Sequence, residues 1–246
     1  MTTLQTLIIC ATPRTGSTLL CALLKSAGTA GRPESWYRAE DRDEYADDWR
    51  LPRDFNGQID PAAYLAAAIR AGQSPNGTCG LRIQSRTLTG LLAELRTLFP
   101  AAAHDRALLE HAFGPCHFIF MRRLDEVAQA ISRLKAEVSQ IWHHDGRATP
   151  DQPPQASYDA DRLDTFRAET AAGNAQWERW FTAESITPIR LVYETFITAP
   201  EAQVRAILTM LNLPPINPIT APNRRMADAT SADWATRYRT ERGLTT

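Results

Sequence analysis

Apolar positions recur along this chain in two rhythms, and the points where one gives way to the other mark out its elements. Residues 4–11, Leu-Gln-Thr-Leu-Ile-Ile-Cys-Ala, are almost continuously apolar. Such a run predicts a strand covered on both faces. Pro13 and Gly16 interrupt it, and Ser17 or Thr18 is suited to cap a helix beginning there. Leu20, Leu23, Leu24 and Ala27 then fall at helical spacing, and Gly28 to Gly31 offers the turn that ends the helix. The prediction is strand, tight loop, helix, with Arg14 held in the loop.

The same alternation repeats down the chain. A Pro-initiated, Ala-rich helix is expected over 61–71, a turn at 74–77 and a second strand over 78–84 with Arg82 inside it. Leu88, Leu91, Leu92, Leu95 and Leu98 form a helical stripe that stops before Pro100, and a short helix is expected over 106–112. A third strand covers 116–121 and runs into Arg122-Arg123. The next helix, 125–142, carries Val127, Ile131, Leu134, Val138 and Ile141 on one face. Residues 149–157 read as a mobile surface loop. A long helix over 161–182, a fourth strand over 189–193 and a helix from Pro200 to Leu211 complete the pattern. Strands alternating with helices predict an α/β fold, a mostly parallel central sheet with helices on both faces in three layers. No repeat or linker divides it, so 1–246 reads as a single domain.

Composition narrows the functional classes. The chain has 246 residues, 43% hydrophobic and 22% charged, with a formal net charge of −1. That suits a folded protein and argues against a generic nucleic-acid binder. No run approaches the ~18 apolar residues of a spanning helix, and the start lacks the pattern of a signal peptide. Cys10, Cys21, Cys79 and Cys116 form no Cys-x-x-Cys or Cys/His cluster. They read as reduced core residues, which points to a cytoplasmic protein without a bound metal. Exposed Trp-containing segments permit a homodimer.

The candidate chemistry gathers at strand ends. The first amides of a helix lack partners and, with the macrodipole, favour an anion. Thr15 and Gly16 sit in the loop leading to them, Ser17 and Thr18 add hydroxyls, and Arg14 adds a fixed charge. The loop is not a Walker A sequence, since it is shorter and lacks the final Lys. Alone, it is equally an ordinary strand-to-helix turn. Arg123 falls at the carboxyl end of a strand, where ligands bind in open α/β sheets; the plainer role is an ion pair with Asp125 or Glu126. Trp36-Tyr37 beside Glu34 fits polyol binding or simple packing. The acidic run 40–48 and the Arg-rich tail read as solvated faces.

With these pieces placed, the chain resembles sulfotransferases that use 3′-phosphoadenosine 5′-phosphosulfate (PAPS), in particular the bacterial trehalose 2-sulfotransferase-like family. Residues 12–20 resemble that family's loop for the 5′-phosphosulfate. Arg123, with Asp125, Gln129-Ala130 and Ser132, resembles its 3′-phosphate site. Arg225-Met226-Ala227-Asp228, then Asp233-Trp234 and Arg237-Tyr238-Arg239, resembles its C-terminal cofactor-covering segment. The resemblance implies a P-loop-like fold and PAPS as donor. It implies Arg14, Thr15, Gly16, Ser17 and Thr18 at the phosphosulfate and Arg123, Ser132 and Arg225 at the 3′-phosphate. It also implies Glu34 as general base and Trp36 and Tyr37 on the acceptor, a carbohydrate or other small alcohol. The family's Glu directly precedes the aromatic pair; here Ser35 stands there and Glu34 one residue earlier. Arg82 replaces the family's strand-two Lys. His143 and His144 are rival bases. Two other functions share the strand-loop-helix: an ATP-dependent small-molecule kinase, and a non-catalytic nucleotide- or glycan-binding protein.

Overall fold

The computed structural model describes residues 4–140, 154–220 and 229–244. Four strands form one parallel sheet in the order β2-β1-β3-β4: β1 is Gln5–Ala11, β2 Thr78–Gln84, β3 Cys116–Arg122 and β4 Ile189–Val192. β1 is paired along its length on both sides, Ile8 opposite Leu81 and Phe118. This central position is why its sequence is apolar without alternation.

Both faces of the sheet are covered. On one, Ile8 and Cys10 meet α3 (Pro61–Gly72), α4 (Ser85–Leu98), α5 (Asp105–Phe113) and α7 (Ala160–Ala183). On the other, Leu7 and Ile9 meet α1 (Ser17–Ala27) and α9 (Pro200–Met210). Neighbouring residues of a strand thus enter opposite cores. The result is the expected three-layer, P-loop-like α/β architecture. A third cluster joins α6 (Glu126–Ser139), the first part of α7 and α10 (Ala229–Glu241).

Several local expectations are corrected. Neither Ser17 nor Thr18 caps α1: the cap is Gly16, in the left-handed region at φ 89°, with no side-chain cap. The acidic run is solvated as expected, with Glu40, Asp43, Glu44, Asp47 and Asp48 exposed, but it is helical. It forms a turn of 3₁₀ helix, Ala39–Asp41, followed by α2, Arg42–Asp48, with Ala46 buried. The fourth strand ends one residue early, because Tyr193 starts a single helical turn, α8 (Tyr193–Phe196). The Arg-rich tail is not simply solvated: Tyr238 of α10 is fully buried against α6 and α7. The expected end of the sixth helix at Trp142, the His143-His144 pair, residues 149–153 of the loop and residues 225–228 lie outside the described residues.

Candidate active site

The loop between β1 and α1 lies at the carboxyl edge of the sheet and is gripped from behind. Gln129 of α6 donates its amide to Thr12 Oγ1 at 3.1 Å and to the Pro13 carbonyl at 2.6 Å. Thr12 in turn donates to Asn174 Oδ1 of α7 at 3.4 Å, and the indole of Trp177 donates to the Ala11 carbonyl at 3.0 Å. Thr15 closes the turn by donating to the Thr12 carbonyl at 3.1 Å. Gly173 lets α7 come this near: a Cβ there would stand 2.5 Å from Ser85 Oγ and 2.9 Å from Thr12 Cγ2. Gln129 and Asn174 are both buried. Each is a polar residue on the apolar stripe of its helix, the one sequence signal that marks them.

Gly16 has two duties. Its φ of 89° is costly for a residue with a Cβ, and a Cβ would lie 2.6 Å from Tyr193 Cδ2. The helices α3, α5, α6 and α7 are capped by their own or preceding side chains, Asp60, His104, Asp125 and Asp159. Helix α1 has none, so its first amides are left to meet something outside the helix.

Arg14, itself at φ 66°, turns away from the loop and donates from Nε to Ser132 Oγ of α6 at 3.0 Å. Arg123 follows β3, its guanidinium 4.7 Å from the centre of the Tyr193 ring. Among the described residues the carboxylate nearest it is Glu194 at 4.0 Å, rather than Asp125 or Glu126. Asp125 instead caps α6 and accepts from Arg239 at 2.8 Å. Burial, then the nearby Arg123, lower the Arg14 guanidinium from its ordinary value to about 10. Two cations thus converge beside an uncapped helix start, a setting in which an anion relieves both charges. The sequence placed Arg14 and Ser132 118 residues apart; the fold makes them neighbours.

A second cluster adjoins the loop. Arg82 of β2 donates to Thr18 Oγ1 at 2.8 Å, to Ser35 Oγ at 2.8 Å and to Glu34 Oε1 at 3.1 Å. Glu34 also pairs as an isolated parallel bridge with Leu81, so its backbone is fixed to the edge of β2. Arg82 therefore ties the candidate base to the end of the candidate anion loop, a link that inspection of the sequence left unseen. Ser35, at the family's Glu position, is buried, whereas the Glu34 side chain is 44% exposed and open to a reactant.

The aromatic pair is committed to packing through its ring faces. Trp36 packs on Tyr45 and Trp49 and donates its indole N–H to the Gly80 carbonyl at 3.2 Å. Tyr37 is buried between Tyr64 and Phe113. Neither ring is a bare platform. Among the described residues no group of three or more His, Cys, Asp or Glu is placed to hold a metal ion.

Fold and site together define a P-loop-like α/β protein in which Arg14, Arg123 and Ser132 gather beside the loop after β1. The chain belongs to the Stf0 sulphotransferase family, whose model matches residues 6–241, and is a sulfotransferase. It is 29% identical to the trehalose 2-sulfotransferase of Mycobacterium tuberculosis, over 95% of this chain and 94% of that protein. To the trehalose 2-sulfotransferase of Mycolicibacterium smegmatis it is 26% identical, over 94% and 93%. Among solved structures it is similar to a sulfotransferase domain from the curacin biosynthetic pathway, at 14% identity over 100% and 99% of the two chains and a TM-score of 0.47.

Proposed function

We propose that this sulfotransferase moves a sulfuryl group from PAPS to a hydroxyl of a carbohydrate or other small acceptor, in line, with Glu34 as the base. The observation that supports this best is the convergence of Arg14, Arg123 and Ser132 beside the uncapped start of α1. PAPS supplies an activated sulfuryl group and a phosphate leaving group. The donor set fits it: a half-buried cation pair, free helix amides and a glycine whose missing Cβ lets backbone approach the ligand.

The protein's part is mainly positioning and charge stabilisation, as in phosphoryl transfer. Arg14, Thr15, Gly16, Ser17 and Thr18 hold the 5′ end and stabilise the charge that grows on the leaving phosphate. Arg123 and Ser132 hold the 3′-phosphate, joined by Arg225, and so separate PAPS from ATP. Glu34 takes the proton from the acceptor hydroxyl, and Arg82 orients Glu34 against the loop. Trp36 and Tyr37 border the acceptor side. The whole chain works as one domain in the cytoplasm, where its four thiols stay reduced.

Incubation with sulfur-labelled PAPS and a panel of sugars and small alcohols tests this directly. Label is expected in an acceptor product only with PAPS. Transfer of phosphate from ATP and magnesium, without sulfate transfer, would overturn the proposal.

A further inference from the structure

Three consecutive carbonyls at the root of the candidate loop are each held by a donor. The Trp177 indole takes that of Ala11, the Thr15 hydroxyl that of Thr12, and the Gln129 amide that of Pro13. The first two fix the end of β1 and the turn itself, whereas the third acts on Arg14. In a trans peptide the carbonyl and the following N–H point in opposite directions, and the chain has no cis peptide bond. By holding the Pro13 oxygen at 2.6 Å, Gln129 therefore keeps the Arg14 N–H turned to the opposite side of the loop.

Helix α6 grips Arg14 from both sides. Gln129 and Ser132 are three residues apart and so share one helical face. Gln129 takes the carbonyl that precedes Arg14, and Ser132 Oγ accepts from its Nε at 3.0 Å. Arg14 requires such a grip. At φ 66° it is a non-glycine residue in the left-handed region, a conformation that persists only where the surroundings impose it. Gly16 follows at φ 89°. Left-handed residues so closely spaced gather backbone N–H groups into a concavity suited to an anion.

The amide of Gln129 is fully committed to the loop. One of its hydrogens goes to the Pro13 carbonyl and the other to Thr12 Oγ1 at 3.1 Å. At 1% exposure the side chain is closed to any reactant, so whatever it does for the site passes through the backbone it holds.

We propose that Gln129 is a positioning residue of the donor site: through the Pro13 carbonyl it aims the Arg14 amide at the 5′ end of the donor. Ser132, one turn further along the same helix, is assigned above to the 3′ end. Two positions on one face of α6 thus answer for opposite ends of one nucleotide. This assignment rests on the donor reading proposed above, and the test reads the two separately.

Calorimetry on the full chain uses a probe for each end. Adenosine 5′-phosphosulfate lacks the 3′-phosphate, adenosine 3′-monophosphate lacks the 5′ group, and adenosine 3′,5′-bisphosphate has a charged group at both. Gln129→Met keeps the side-chain volume and removes both N–H donors. It is expected to weaken the 5′-phosphosulfate about tenfold while the 3′-monophosphate stays within about twofold. Leu108→Ala, a core change in α5, supplies a destabilised protein with an untouched loop, and it should weaken neither probe selectively. A second reading needs no variant to fold. In the isotope-labelled parent, the Arg14 amide resonance should shift when adenosine 5′-phosphosulfate is added and stay in place with adenosine 3′-monophosphate. Gln129→Met weakening both probes alike, or neither, overturns the assignment, as does an Arg14 amide that ignores the 5′-phosphosulfate. A parent that binds neither the bisphosphate nor the phosphosulfate overturns the donor reading itself.

Discussion

Replacing Arg14 by Met should make the ligand-free protein more stable and nearly useless as a donor binder. A guanidinium lowered from its ordinary value to about 10 carries roughly 3 kcal/mol of unfavourable interaction in its charged form. Burial causes most of this and Arg123 adds to it. The sign is that of a cation held below its unfolded value. The penalty is present at every pH below about 10 and fades only as pH rises from there towards the ordinary guanidinium value. Partial solvent screening, and the contacts that Met cannot make, among them the 3.0 Å hydrogen bond to Ser132, reduce the gain by about 1–2 kcal/mol. The net expectation for Arg14→Met is a stabilisation of about 1–2 kcal/mol. For a chain of this size that is about 2–8 °C in melting temperature. Adenosine 3′,5′-bisphosphate binding should fall by about tenfold to a hundredfold, the loss of a charge-assisted contact. Denaturant unfolding at pH 7 and calorimetry with the bisphosphate measure the two effects on the same samples. A variant less stable than the parent that still binds the bisphosphate at full strength would refute the account of Arg14 as a destabilised, anion-directed charge.

Three further outcomes are expected. Glu34→Gln should lower kcat by about 10²- to 10⁴-fold with bisphosphate affinity intact; steady-state rates near the parent's would exclude Glu34 as the base. Ser132→Ala should weaken adenosine 3′,5′-bisphosphate by about tenfold and leave adenosine 5′-phosphosulfate, which has no 3′-phosphate, untouched. Equal weakening of both, read by competition binding, would remove Ser132 from the 3′ end. Gly16→Ala should cost about 2–4 kcal/mol, from φ 89° and a Cβ 2.6 Å from Tyr193 Cδ2. Adding Tyr193→Ala should return the steric share in urea titrations while leaving the backbone share.

What the sequence by itself determined was whatever local pattern encodes. The apolar run before Pro13, the helical stripe after Gly16 and the strand ending at Arg123 follow from which neighbours along the chain must be buried together. They delivered the parallel α/β class and the strand, tight loop and helix around Arg14. They missed Gly16 as the cap, because Ser and Thr are the commoner caps and only the proximity of Tyr193 shows why a residue without a Cβ stands there. The tertiary structure alone decided which distant side chains meet. Strand order β2-β1-β3-β4 puts Arg82 beside Thr18 and Glu34. It also lets α6 bring Ser132 to Arg14, and lets α6 and α7 bring Gln129, Asn174 and Trp177 to the back of the loop. Such pairings join residues tens to more than a hundred positions apart, and burial periodicity says which face a residue takes, not whom it meets there. The same holds for Tyr37: its spacing beside Trp36 was compatible with a sugar platform, and only packing against Tyr64 and Phe113 showed that its ring belongs to the core.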